Sequence, residues 1–269
     1  MLDRSAQRMS FCGVPLDAID MDRLLSLFKR SKLNSEQQLI FHHNLHSVYL
    51  FLTNAEFRAT YAKASCVYID GLPIVWLGRA AGLPLKASHR ITFLDCFEEI
   101  LNAAAEAGWR VFYLGSREEV VKSTLPLLRE RYPRLVISGR NGYFAKDESA
   151  NEEVISQINK FCPDILFVGM GMPKQEMWLA EHYTRLNAHS IVTSGATLDY
   201  VSGHQYKPPE WAGPLGLYGV FRLLSDFKRL WRRYLIEPIV VTMYLSWGII
   251  RQRLHKAGKD WSQPRISEE

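Results

Sequence analysis

Short runs of β-branched and aromatic residues recur along the chain, at 39–42 (LIFH), 66–69 (CVYI), 110–114 (RVFYL), 135–138 (LVIS), 164–168 (DILFV) and 190–193 (SIVT). Most are continuously apolar rather than alternating, the mark of strands buried on both faces of a sheet. Between them the apolar spacing changes to three and four residues. The stretch 93–107 (FLDCFEEILNAAAEA) ends at Gly108, a residue suited to a left-handed helix cap, and the stretch 118–132 stops at Pro133. This alternation predicts an α/β fold, a Rossmann-like, mostly parallel sheet with helices on both faces. Such sheets bind ligands outside the carboxyl ends of their strands, so the residues following each run are the place to look for chemistry.

Near residue 207 the pattern changes. Lys207-Pro208-Pro209-Glu210-Trp211 and Gly213-Pro214 form a cluster of breakers, as in a linker. Beyond it, 217–235 (LYGVFRLLSDFKRLWRRYL) reads as one amphipathic helix. Leu217, Val220, Phe221, Leu224, Phe227, Trp231, Tyr234 and Leu235 make its apolar face, and Arg222, Arg229, Arg232 and Arg233 fall off that face. Pro238 is expected to end this helix, and a second, mostly apolar one to run to about Leu254. The division predicted is an α/β catalytic domain over 1–206, a basic helical membrane-binding appendage over 207–256, and a disordered polar tail over 257–269. The longest apolar stretch, 239–250 (IVVTMYLSWGII), is too short to span a bilayer.

Composition narrows the class. With 269 residues, 47% hydrophobic and 23% charged, the chain is an ordinary globular sequence and needs no disulfide or metal to hold a core. Cys12, Cys66, Cys96 and Cys162 are scattered singly, which fits reduced thiols. The opening MLDRSAQRMS places charges where a signal peptide needs an apolar run, so export is not expected. The net charge of +5 is concentrated late: residues 207–259 hold ten Lys and Arg against three acids. Such a patch suits nucleic acid, an anionic membrane face or a phosphorylated ligand.

Several residues at strand ends carry candidate chemistry. Asp70 closes the second run, where a carboxylate is placed to act as general base or, equally, to cap the next helix. The segment 169–176 (GMGMPKQE) follows the fifth run and opens a helix at Pro173. Gly169 and Gly171 let backbone approach a ligand, but Lys174 stands where a dinucleotide fingerprint has its last glycine. His42, His43 and Asn44 end the first run and read as a polar patch at the crevice mouth rather than metal ligands. Asp20-Met21-Asp22 is formally a DxD triplet, yet it precedes LLSLFKR and reads as a helix start, so no metal site is predicted.

Taken together, these segments resemble the WecG/TagA/CpsF glycosyltransferases, family twenty-six of the sugar-transfer enzymes. The resemblance rests on 169–176 followed by Trp178, on 141–144 (NGYF), on 194–199 (SGATLD), on 203–208, and on 217–233 with Glu237-Pro238. It covers roughly residues 11–253, and HHNLHS at 42–47 suggests the GumM-like exopolysaccharide branch. The resemblance implies an inverting, metal- and cofactor-independent transfer from a UDP-sugar to a sugar on undecaprenyl diphosphate, at the cytoplasmic face of the inner membrane. It makes Asp70 the base, with Asn44 beside it and Arg90 facing the substrate pocket. Gln175 falls near the donor sugar, and Tyr143 and Asp199 near the nucleotide, to which Gly169, Gly171, Lys174 and Glu176 are added. His42 and Phe93 depart from the family pattern, which has threonine and glycine there, and both bear on sugar identity. Glucose is the sugar expected. The alternative is N-acetylmannosamine or its uronic acid, for teichoic acid or enterobacterial common antigen type polymers.

With no metal, the charge on the departing UDP needs stabilising, and the appendage arginines Arg222, Arg229, Arg232 and Arg233 and the helix start at Gly171–Lys174 are the groups available. The expected partners are therefore the UDP-sugar, the polyprenyl diphosphate acceptor and an anionic membrane surface, with no nucleic acid and with room for a homo-oligomer. Two other classes compete. A nicotinamide-dependent oxidoreductase needs a glycine-rich turn after an early strand, which HHNLHS lacks. A non-enzymatic binding module accounts for the basic end but not for Asp70, Gln175 and Asp199 all following strands.

Overall fold

The computed structural model describes residues 8–145 and 147–260. In chain order the elements are β1 (Arg8–Phe11), β2 (Val14–Asp17), α1 (Met21–Asn34), β3 (Gln38–His43), α2 (Leu45–Thr53), α3 (Ala55–Thr60), β4 (Cys66–Ile69) and α4 (Leu72–Ala80). Next come α5 (Phe93–Ala107), β5 (Arg110–Gly115), α6 (Glu118–Arg131), β6 (Val136–Arg140), α7 (Glu148–Phe161), β7 (Ile165–Gly169), α8 (Lys174–His182), β8 (Ser190–Thr193) and α9 (Thr197–Val201). The chain closes with α10 (Tyr218–Ser225), α11 (Phe227–Trp231), a π-helical turn (Arg232–Ile236) and α12 (Glu237–Asp260).

Six strands form one sheet in the order β4-β3-β8-β7-β5-β6, every neighbouring pair parallel. They are the six apolar runs. Their continuous apolar character has a direct cause, because alternate residues enter two different cores. Leu39, Phe41, Val67, Ile69, Leu166 and Val168 pack with α2, α3, α7, α8 and α12. Ile40, Cys66, Tyr68, Ile165 and Phe167 pack with α1, α5, α6 and α9 on the opposite face. Helix α5 ends as predicted, with Gly108 in the left-handed region at φ 65. Asp20 caps α1 by accepting the Arg23 N–H at 3.0 Å, which accounts for the DxD triplet as a helix start.

One element escapes the sequence pattern. The antiparallel hairpin β1–β2 turns at Cys12-Gly13, both with positive φ, the geometry of a two-residue hairpin loop. Its strands have four residues each, too few for a period to stand out. Asp17 at its end is buried and accepts the Val67 N–H at 2.7 Å, tying the hairpin to β4.

The C-terminal segment corrects three expectations. Residues 217–235 are not one helix: α10 stops at Asp226, whose side chain then caps α11 through the Arg229 N–H at 3.3 Å. Nor does Pro238 end a helix. It sits in the first turn of α12, directly after the π-helical turn, where the wider winding accommodates a residue without an N–H. Helix α12 runs to Asp260, so 257–260 are helical where a tail was expected, and the remainder of that tail lies outside the described residues.

Orientation is the larger surprise. Of the apolar face read from the sequence, Val220, Leu224, Phe227, Trp231 and Leu235 face solvent, Leu224 at 73% exposure. Helix α12 continues the exposed band with Ile239, Met243, Tyr244 and Trp247, while Val241 and Leu245 enter the core. Among the described residues no helix is long and apolar enough to cross a membrane.

Candidate active site

A cavity of about 620 Å3 opens at the carboxyl ends of β3, β4, β7 and β8. That is the size range of small-molecule sites. The sheet supplies its floor and the C-terminal segment its roof, through Tyr218, Arg222, Arg229, Leu230, Arg233 and Tyr234.

Asp70 stands in this cavity directly after β4. The capping alternative falls away, because the residue at the N-cap of α4 is Gly71 and no side chain caps that helix. Both Asp70 oxygens are engaged elsewhere: Oδ2 accepts from Asn44 Nδ2 at 3.3 Å and Oδ1 from the Thr92 hydroxyl at 2.8 Å. Asn44 is aimed by its own helix. Its Oδ1 accepts the Ser47 N–H at 3.0 Å while Ser47 Oγ accepts the Asn44 N–H at 2.8 Å, a capping box that leaves only the amide nitrogen free for Asp70. A carboxylate held by two donors still has lone pairs for an incoming hydroxyl.

Arg90 also lines the cavity. It donates to Thr92 Oγ1 at 3.1 Å and to Asp95 at 2.7 Å, while the Tyr218 hydroxyl donates to the other oxygen of Asp95. Arg90 thus reaches Asp70 through Thr92 and the appendage through Asp95. A second tie lies across the cavity, where His46 and Glu237 meet at 2.6 Å. Thr92, Tyr218, His46 and Glu237 had no signal in periodicity, because each gains its role from a partner distant in sequence.

His42 is buried between the cavity and Tyr68, with Nδ1 at 2.9 Å from the Thr193 hydroxyl. Burial lowers its pKa, against the opposing pull of the Asp70 carboxylate, so the ring is neutral near pH 7. His43 points into the core instead, stacked on Tyr61 at 4.4 Å, and burial pushes its pKa down to about 3.

The four appendage arginines divide. Arg222 and Arg233 turn inward and both feel the Asp70 carboxylate. Arg222 lies over the Tyr200 ring at 5.5 Å, and its Nε is buried without a hydrogen-bond partner among the described residues. Arg229 lines the rim, paired with Asp226 at 2.6 Å. Arg232 is exposed, lies over Trp231 and is not part of the cavity wall.

Of the residues expected near the nucleotide, Gly171 and Lys174 line the cavity, whereas Gly169, Glu176, Asp199 and Tyr143 do not. Gly169 serves a close approach, since a Cβ there would fall 2.4 Å from the Gly195 carbonyl oxygen. Asp199 accepts from Ser116 Oγ at 2.8 Å, and Tyr143 is exposed on the loop after β6. Gln175 is buried at the cavity edge, with Oε1 accepting the N–H groups of Gly171 at 3.1 Å and Gly195 at 3.2 Å. Among the described residues no three His, Cys, Asp or Glu side chains gather as metal ligands.

A carboxylate with free lone pairs beside two cations has the chemistry to accept a hydroxyl proton and to face a phosphorylated leaving group. Comparison with known proteins points the same way. The family model described as "Glycosyl transferase WecG/TagA/CpsF family" matches residues 9–258. Proteins of Staphylococcus aureus strains MW2 and NCTC 8325 / PS 47 are each 29% identical over 212 residues, covering 79% of this chain and 77% of theirs. Both carry the name N-acetylglucosaminyldiphosphoundecaprenol N-acetyl-beta-D-mannosaminyltransferase.

Proposed function

The chain belongs to the WecG/TagA/CpsF glycosyltransferase family, and from that premise we propose that it transfers N-acetylmannosamine from its UDP derivative to N-acetylglucosamine carried on a polyprenyl diphosphate. That it is a glycosyltransferase follows from the family. The sugars are taken from the relatives' name, which favours the amino sugar over the glucose transfer in exopolysaccharide assembly expected from sequence.

The observation that carries the mechanism is the Asp70 carboxylate, held by Asn44 and Thr92 under two inward-facing arginines. In this reading Asp70 takes the proton of the acceptor hydroxyl as its oxygen attacks the anomeric carbon. UDP leaves from the opposite face, so the configuration inverts. Arg222 and Arg233, charged at any physiological pH, offset the charge that grows on the departing diphosphate. The outward apolar band from Val220 to Trp247 rests on the membrane that carries the lipid acceptor, at the cytoplasmic face of the inner membrane.

A panel of UDP-sugars with a short-chain polyprenyl diphosphate N-acetylglucosamine tests this. UDP-N-acetylmannosamine should be the productive donor and the new linkage β. Transfer of glucose in preference to N-acetylmannosamine would restore the exopolysaccharide reading.

A further inference from the structure

Two loops form one wall of the cavity, the β7–α8 loop at Met170, Gly171 and Met172 and the β8–α9 loop from Ser194 to Thr197. The sheet ladder joins them at their base, where the Ser194 N–H donates to the Val168 carbonyl at 2.8 Å, and the Tyr113 hydroxyl of β5 donates to the Gly195 carbonyl at 3.1 Å. Beyond that base the two loops are tied by the Gln175 carbonyl, which accepts one backbone N–H from each. An amide side chain has two nearly isosteric orientations, and only one of them places the oxygen toward both donors. What selects it is Glu176, fully buried, whose Oε1 accepts from Gln175 Nε2 at 2.8 Å. Turning the amide over would set its oxygen against the Glu176 oxygen and its NH2 against two N–H groups.

We propose that Glu176 is a positioning residue: by accepting the Gln175 amide proton it holds the Gln175 carbonyl on Gly171 and Gly195 and so fixes the wall of the cavity. This rests on the reading of the cavity as the transferase site. It also gives Gln175 a different task from the sugar contact implied by family resemblance, since both lone pairs of its oxygen are already used. Glu176 itself touches no substrate, because it does not line the cavity. Its second oxygen, Oε2, is buried without a partner among the described residues, an expensive arrangement to keep in a core unless the first oxygen has work that an apolar residue would not do.

The test compares the full chain with three variants: Glu176→Met, Glu176→Gln, and the exchange Gln175→Glu with Glu176→Gln. Methionine removes the acceptor at similar volume. Glutamine at 176 keeps an oxygen for Gln175. In the exchange, the carboxylate at 175 accepts both backbone N–H groups and the amide of residue 176 donates to it, so the tie is rebuilt with no amide left at 175. Hydrogen exchange in the peptides spanning 168–175 and 193–198 reads the loops, and kcat and KM for the UDP-sugar read the site.

Glu176→Met should speed exchange in both loops together and lower kcat/KM about tenfold or more, the scale expected when reacting groups are displaced by a fraction of an ångström. Glu176→Gln and the exchange should stay within about threefold of the parent on both readouts, the latitude of an undisturbed site. Unchanged exchange and kinetics in Glu176→Met would overturn the proposal. So would an exchange variant with protected loops but no turnover, because that would make the Gln175 amide a substrate contact. Should Glu176→Met fail to fold, the other two variants decide. Absence of transfer by the parent chain with any UDP-sugar would instead sink the functional reading, and the exchange measurements would still decide whether Glu176 holds the loops.

Discussion

In the sheet domain apolar side chains turn inward and charged ones outward, whereas around the cavity roof the C-terminal segment does the reverse. Helix α5 shows the first arrangement, with Phe97, Ile100, Leu101 and Ala104 buried and the half-exposed Glu98 in a surface pair with Arg131. The α10–α12 segment shows the second, with Arg222 and Arg233 facing Asp70 and Leu224, Phe227 and Trp247 facing out. Helices α5 and α10 are amphipathic to a similar degree. What differs is the neighbour, since α5 meets a dry sheet and α10 meets a cavity that tolerates charge. In the mechanism we propose, this becomes a division of labour in which the core supplies the base and the appendage supplies the cations.

The largest effect should come from the core's contribution. Asp70→Asn preserves the shape, accepts from Asn44 through its oxygen and donates through its NH2 to a turned Thr92 hydroxyl, but removes the base, so turnover should fall about 10²–10⁴-fold while UDP affinity stays near normal. Near-normal turnover would mean that the carboxylate is a bystander. The appendage's contribution comes next. Replacing Arg222 and Arg233 together by glutamine should lower kcat/KM by about 10²–10³-fold, as expected for loss of groups that stabilise transition-state charge. The matched control is Arg131→Gln on the surface of the sheet domain, an exposed partner of Glu98, which should change nothing measurable. If the two inward arginines prove as dispensable as Arg131, the contrast between the regions has no functional content.

A buried acid sharpens the contrast from the core side. Burial pushes the Glu176 carboxyl up to about 7 from an ordinary 4.5. The folded state therefore holds this proton through a range where the unfolded chain has released it. Stability from this group is present at low pH, falls as pH rises from about 4.5 to about 7, and then levels off. The span is up to about 3 kcal/mol. Glu176→Gln should flatten that slope, which chemical unfolding at pH 5 and pH 8 would measure for both proteins. Equal slopes would show that Glu176 is not buried as a neutral acid.

Much of the core was legible in sequence because buried parallel strands are continuously apolar. The six runs and the Gly108 cap needed no tertiary information. The β1–β2 hairpin was not legible, since four-residue strands carry little period, although Cys12-Gly13 offered a weak turn signal. The break at Asp226 hid inside an apolar period that continues across it. Periodicity also assigns a helix two faces without saying which is inside, so the reversal of the appendage was invisible until a cavity was there to receive the arginines. Strand ends led to Asp70 and Asn44. Thr92 and the His46–Glu237 contact depend on segments brought together only by the fold.

The smallest predicted effect addresses the outward face. Leu224 and Trp247 are 73% and 69% exposed, so replacing both by serine should leave stability and turnover on a soluble, short-chain acceptor unchanged. Binding to anionic vesicles should weaken about tenfold, because each side chain loses part of the roughly 1.5–3 kcal/mol that a large apolar group gains on leaving water. This loss should persist at high salt. Lys228→Gln with Arg232→Gln should behave oppositely, since both residues are exposed beside the band and each contributes about 1 kcal/mol near an anionic surface only while salt is low. Arg222 and Arg233 are turned away, so their replacement should leave vesicle binding intact while lowering kcat/KM by about 10²–10³-fold. Vesicle binding that survives the serine pair at every salt concentration would separate the exposed band from the membrane. A loss of turnover on the soluble acceptor would show instead that the outer face supports the geometry of the inner one.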